Sequence, residues 1–211
     1  MRGPAVVALL GLLLALGGPV AAPPLLDAIV GSVESRTIAA SDIALARALG
    51  VLGFAPSTAP IVREDVERFA DVLLILDEAG RIGIGAEPEQ TDPAWAAVVA
   101  RAGGADVLTR WLDAQAIDRA WARRLVEYEV VLTRFFEARF AAFVFPEDAE
   151  VDRALGSAPH DESAREAARA RLVREAATKA QAQWLREARR RASLRILLPP
   201  ETSIPSPFPP P

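Results

Sequence analysis

The chain has 211 residues, 51% hydrophobic and 25% charged, with a net charge of −4. That composition excludes a disordered chain, and so mild a charge implies neither a polyanionic nor a polycationic partner. The lack of Cys excludes disulfides and thiolate chemistry, and a single His, His160, excludes a His-rich metal site.

Residues 1–22 carry Arg2, an apolar run over 5–16, a Gly-Gly-Pro break and small residues. This is the layout of a secretory signal peptide, with Val20 and Ala22 at the −3 and −1 positions. Pro23 would follow the cut, where signal peptidases accept proline poorly, so an uncleaved membrane anchor is the alternative. The run is shorter than the ~20 apolar residues of a spanning helix.

Residues 23–198 are expected to form one helical domain. The β-type runs 28–33 and 36–38 flank Glu34 and Ser35, which predicts a hairpin. Ser41 is the expected N-cap of a helix over 42–52, ended by Gly50 or Gly53. A linker over 55–60 precedes a helix over 61–81, whose seam is Val62, Val66, Phe69, Leu73 and Leu76. After a polar loop over 87–92, Asp92 and Pro93 open a helix that runs to 102. A shorter helix follows over 105–115.

Asp118 caps a long helix over 119–143. Its seam is Trp121, Leu125, Tyr128, Leu132, Phe136, Phe140 and Phe143, at steps of three and four. A short acidic helix over 147–155 and a turn lead to the last helix, 163–192. Its seam is Val173, Ala177, Ala180, Trp184 and Ala188. Residues 193–198 alternate like a strand and are expected to join the hairpin, since two strands alone are marginal in water. Residues 199–211 hold seven Pro in 13 residues, which predicts a disordered, solvated tail.

Charge is unevenly divided. Residues 23–162 carry 24 acidic and 13 basic side chains, whereas 163–198 carry 10 basic and 3 acidic. A basic helix can meet nucleic acid or anionic lipid; packing back on the acidic body is the simpler expectation, and no nucleic-acid partner is expected. There is no phosphate loop, nucleophile elbow or metal-ligand spacing, so no catalytic, cofactor or metal residue is assigned. His160 is expected in an exposed turn. Glu147, Asp148, Glu150 and Asp152 are expected to be solvated surface charge. Glu127 and Glu129, two apart on a helix, do not share a face.

Trp95, Trp111, Trp121 and Trp184 fall on four different expected helices. Core packing is the default for each, but indole is rarely buried completely. Trp95, Trp111, Trp121, Tyr128 and Phe135 are the candidates for lining an apolar peptide groove. Phe135 and Phe136 cannot point the same way; Phe135 is expected to face the cleft while Phe136 joins the seam.

Several segments also look familiar. Residues 25–44, LLDAIVGSVESRTIAASDIA, resemble the opening of the SurA-type periplasmic chaperones, with Asp27, Ile29, Val30, Val33, Ile38, Ser41 and Asp42 in register and Glu34 at a usual Asn. Residues 62–83 resemble that family's second helix, with Asp71 at a position that is often polar. Residues 115–150 resemble its long helix and exit. Residues 184–197, WLREARRRASLRIL, are similar to its closing helix and strand.

The resemblance implies a mainly α, SurA-type peptide-binding domain, of the kind shared with trigger factor. Its small β-hairpin would be joined by a C-terminal strand, so that both ends of the domain meet. The family's parvulin isomerase domains would have to fit in the short stretch between Val151 and Ser163, and are absent. The function so implied is non-enzymatic and needs no cofactor: a chaperone-like protein in the periplasm or cell envelope that binds unfolded or extended polypeptides, outer-membrane protein precursors among them. The alternative is a dedicated interaction or structural module on the same scaffold, touching the membrane only through residues 1–22 if these stay uncleaved.

Overall fold

The computed structural model describes residues 27–156 and 161–211. The expected signal segment, residues 1–22, and His160 lie outside the described residues. Strands β1 (Ile29–Val33) and β2 (Arg36–Ala39) are followed by helices α1 (Ala40–Leu49), α2 (Arg63–Arg81), α3 (Pro88–Arg101), α4 (Ala105–Ala114) and α5 (Arg119–Arg139). A 3₁₀ turn, Ala141–Phe143, leads to α6 (Asp148–Leu155), α7 (Glu162–Arg191) and β3 (Leu194–Ile196). The chain is mainly helical with one small antiparallel sheet, in the order β2-β1-β3.

The sheet brings the two ends of the domain together. Gly31, Ser32 and Val33 pair with Ile196, Arg195 and Leu194, and Leu197 N–H donates to the Val30 carbonyl at 2.9 Å. The hairpin turn is also bound from the far end of the chain. Glu34 N–H donates to the Ser193 carbonyl, and the Glu34 carboxylate accepts from Ser193 N–H, each at 3.0 Å. A carboxylate long enough to reach that amide gives Glu a role at the turn that Asn would not fill.

Helix α1 is buried on almost every side: Ile43, Ala44, Leu45 and Ala46 are all fully inaccessible. It starts two residues earlier than expected. Ser41 is the second residue of the helix rather than its cap, and the Asp42 carboxylate accepts from Ala39 N–H at 3.3 Å. Ser41 instead donates its amide (3.2 Å) and its hydroxyl to Asp27. Gly50 ends the helix with φ 64°, a left-handed conformation that favours Gly. Arg101 of α3 donates to the terminal carbonyls of Leu49 and Gly50, placing a cation where the helix dipole is negative.

Other boundaries shift for local reasons. Helix α2 begins at Arg63, because the Asp65 carboxylate accepts from Val62 N–H at 2.9 Å and makes residue 62 the cap. Helix α3 takes in the expected loop over 87–92: Pro88 occupies its first position, where a missing N–H costs nothing, and Pro93 lies inside the helix on an exposed face. Helix α5 ends at Arg139, four residues early, and leaves Phe143 74% exposed. Its buried stripe is Ala122, Leu125, Val126, Val130, Val131 and Phe135. Trp121, Tyr128, Leu132 and Phe136 of the expected seam form its half-buried flank, because α5 packs against α1, α2 and α3 and meets α7 through Phe135 and Trp184.

Two apolar clusters result. The larger joins the sheet to α1–α5; the smaller holds Ile75, Ala79, Val131, Phe135, Phe140 and Ala177 where α7 crosses α2 and α5. Trp184 of α7 lies 5.3 Å from the Phe135 ring and 6.2 Å from that of Phe140, measured between centroids. Ala180, expected in the α7 seam, is exposed. The basic helix does meet the acidic body: Arg189 grips Asp71 through two bonds of 2.6 and 2.7 Å, and Arg165 and Arg169 reach Asp148 and Asp152 of α6.

Residues 199–211 do not form a solvated tail. Ile204 pairs with Ile61 through two main-chain hydrogen bonds of 2.7 and 2.9 Å. Ile204 and Phe208 are partly buried against the larger cluster. The segment opens with a turn closed by Thr202 N–H to the Pro199 carbonyl at 3.0 Å, then runs without helix along the body, bending once at Pro207. Two large apolar side chains among the prolines give it something to bury.

Candidate functional site

The docked C-terminal segment marks a surface built from three places in the chain. The loop before α2 contributes Ile61, α4 contributes Trp111, and the first turn of α5 contributes Trp121. Asp118 fixes that turn by accepting from Ala120 N–H at 2.8 Å. Ile61 is held in place by a buried ion pair. Arg47 of α1 bonds the Asp65 carboxylate, and its guanidinium also donates to the Ala59 and Pro60 carbonyls at 2.8 and 3.2 Å. The side chains of Arg47 and Asp65 are 9% and 12% exposed. The strand-like edge at Ile61 is therefore pinned from below rather than left to a free loop.

The two indoles use both of their chemical faces. Trp111 Nε1 donates to the Pro209 carbonyl at 3.0 Å. Trp121 receives the Phe208 ring edge-on, with centroids 6.2 Å apart and planes at 75°, a favoured geometry for aromatic pairs. Trp121 Nε1 is turned inward and donates to Asp42 Oδ1 at 3.1 Å. Burial raises the Asp42 pKa, a rise partly opposed by hydrogen bonds from Ala39 N–H and Trp121 Nε1. Asp27 adds a further, smaller upward push.

Between this segment and the body lies a mainly apolar cavity of about 460 Å³, bordered by Ala40, Ala116, Trp121, Ile204, Pro205 and Phe208. Asp27 and Ser41 provide its polar rim. The surface thus offers a main-chain edge, an indole donor, an aromatic face and an apolar hollow. Those groups suit recognition of a polypeptide segment.

Of the five aromatic residues expected to line a groove, the structure brings two together there, Trp111 and Trp121. Trp95 is buried at 7% exposure, with the Arg119 guanidinium 5.5 Å from its ring centre. Tyr128 is half-buried against the larger core cluster. Phe135 is a correction: it faces no cleft but is completely buried between Phe140 and Trp184, while Phe136 is the half-buried one. The helix turns this way because Ala and Val at 122, 126, 130 and 131 pack more closely than the aromatic flank and set the phase.

Ile61, Asp42, Ile204 and Phe208 complete the site and were not singled out from sequence. One signal was available: Ile204-Pro-Ser-Pro-Phe208 holds two large apolar residues at a spacing of four inside an otherwise polar and Pro-rich stretch. Among the described residues no cluster of acidic or imidazole groups could hold a metal ion, and no helix is long and apolar enough to cross a membrane. Glu150 accepts from Glu147 N–H at 2.9 Å, so one member of the acidic group over 147–152 caps α6. No protein-family model matches the chain, and no curated protein matches it.

Proposed function

We propose that the chain is an exported, non-enzymatic binder of unfolded or extended polypeptide in the cell envelope, on a SurA-type scaffold without an isomerase domain. The observation that carries this is the docking of residues 199–211, a segment without helix held by main-chain pairing at Ile61 and by the two indoles. Main-chain pairing is indifferent to side-chain identity, and aromatic contact supplies apolar burial at ~25 cal/mol per Å². Together they suit weak, tolerant capture of many chains. Outer-membrane protein precursors are a fitting client class, being extended while they cross the envelope. The signal-like residues 1–22 and the resemblance of 25–44 and 184–197 support export and the scaffold.

The test is anisotropy of several labelled, permanently unfolded proteins titrated with the full chain. Weak but measurable binding to unrelated unfolded chains, and none to their native forms, is expected. Binding to one partner alone would favour the dedicated module, and binding to none would overturn the proposal. The same preparation should leave cis/trans exchange of X-Pro peptides at its uncatalysed tens of seconds. N-terminal sequencing of the protein from an envelope fraction should begin near Pro23.

A further inference from the structure

We infer that the Trp111–Trp121 surface selects extended Pro-rich segments in which an apolar residue precedes an aromatic one by four positions, and that the chain's own Ile204–Phe208 stretch is a resident competitor for it. This rests on the polypeptide-binding reading above and narrows its ligand. Three observations on separate groups converge. Ile204 supplies the main-chain pair to Ile61 in both directions. Pro209 offers its carbonyl to Trp111 Nε1, and Phe208 supplies the ring to Trp121.

Proline explains why this register works. Pro205, Pro207 and Pro209 each fix their own φ, and the chain bends at Pro207, so the isoleucine and the phenylalanine are presented with less ordering entropy left to lose than in a flexible chain. Prolines also donate no N–H, so the backbone around Phe208 presents mainly acceptors, which an indole N–H satisfies. An aromatic-lined surface with an indole donor is the physical complement of such a segment.

The occupant is tethered closely. Leu198 is buried at 4% exposure only six residues before Ile204, so the tail stays near its site whether bound or free. A short tether gives an effective concentration of order millimolar. A ligand in trans meets a site that is mostly closed, and its apparent Kd is raised by the inverse of the open fraction. For a segment of ~100 µM intrinsic affinity, that factor is about tenfold.

The experiment titrates a labelled peptide with the sequence of residues 201–211, ETSIPSPFPPP, onto the full-length chain and onto I204A/F208A. Tightening by about tenfold is expected in the variant. W111F added to that variant should loosen it again, and a peptide with Ala at the two apolar positions should not bind. If I204A/F208A fails to fold by circular dichroism, F208A alone carries the test, since Phe208 is only partly buried; a smaller tightening in the same direction is expected. Equal affinity for folded wild type and F208A overturns the competitor, and absence of peptide binding to the folded variant overturns the ligand class. A Pro-poor unfolded protein titrated in parallel separates the two proposals. If it binds the variant while the peptide does not, only this inference falls; if the peptide alone binds, the general chaperone reading falls and the Pro-rich ligand stands.

Discussion

Replacing Arg47 with Met tests the ion pair that positions the edge of the site. Methionine keeps most of the aliphatic stem, so the loss is mainly one of charge and donors. Asp65, 12% exposed, is left without its cation, and breaking a buried pair from one side costs about 3–5 kcal/mol. The Val62 N–H, at 2.9 Å, still reaches the carboxylate and moves the expectation to the lower end. Ala59 and Pro60 are exposed, so water can replace the guanidinium at their carbonyls for ~1 kcal/mol or less. About 3 kcal/mol is expected in total, or a fall of roughly 1.5 M in urea midpoint for a slope of about 2 kcal/mol per M. R47M/D65L removes both charges and should recover about 2 kcal/mol of that, falling short of wild type by the lost cap at Val62. Amide exchange should quicken at Ile61 and Ile204 more than at Ile38, because the pair holds the loop and not the sheet. A cost under ~0.5 kcal/mol for R47M, or a double variant less stable than the single one, would refute the reasoning.

Three further substitutions probe other parts of the structure. Burial holds the Asp42 pKa above its ordinary 3.8, so the folded state binds that proton more tightly than the unfolded one. The stability of wild type relative to D42N should therefore fall as pH rises from below 3.8 through the raised value and level off above it; urea titrations of both proteins across that range check the sign. A Cβ at Gly31 would meet the Arg195 carbonyl and a Val66 methyl at 3.0 Å, so G31A should cost about 1–3 kcal/mol by overpacking the β1–β3 seam, read as a lower melting temperature. F135A should cost about 3–5 kcal/mol yet leave the affinity of I204A/F208A for the 201–211 peptide unchanged, which separates a core residue from a groove residue.

Helix identity was legible wherever packing is local. The hairpin, the Gly50 stop and the Asp118 cap follow from patterns within a few residues of one another and are present; the return of β3 to β1 is long-range, and was expected because two strands alone are marginal. The phase of α5 was not legible. An apolar seam read from residue size favours Trp121, Tyr128 and Phe136, but the buried face is chosen by which neighbours come closest. Small Val and Ala side chains permit that approach, and the choice depends on α2 and α7, whose contacts with α5 are distant in sequence. The same holds for the start of α1, where Ala39 is the cap, its N–H is held by the Asp42 carboxylate, and Asp27, fourteen residues upstream of Ser41, takes up the serine hydroxyl.

The C-terminal segment is where composition misled, and the reason bears on the site. Proline content predicts that a segment lacks helix and regular strand, and that much is true of residues 199–211, whose one β-bridge is Ile204 to Ile61. It does not predict solvation, because a proline-stiffened chain loses less entropy on docking than a flexible one. Two apolar side chains are then enough to hold it, provided the receiving surface supplies an edge and a donor. Ile61 and Trp111 supply these; Ile61 cannot be recognised as a site residue until its partner is in place, and Trp111 cannot be told apart from Trp95. A surface assembled from a pinned loop and two indoles satisfies the core's packing demands with Trp121 and Ile61 while leaving Trp111 and the outer face of Trp121 to an occupant. That division is why sequence could nominate the tryptophans as a set but could not say which of them meet the C-terminal segment.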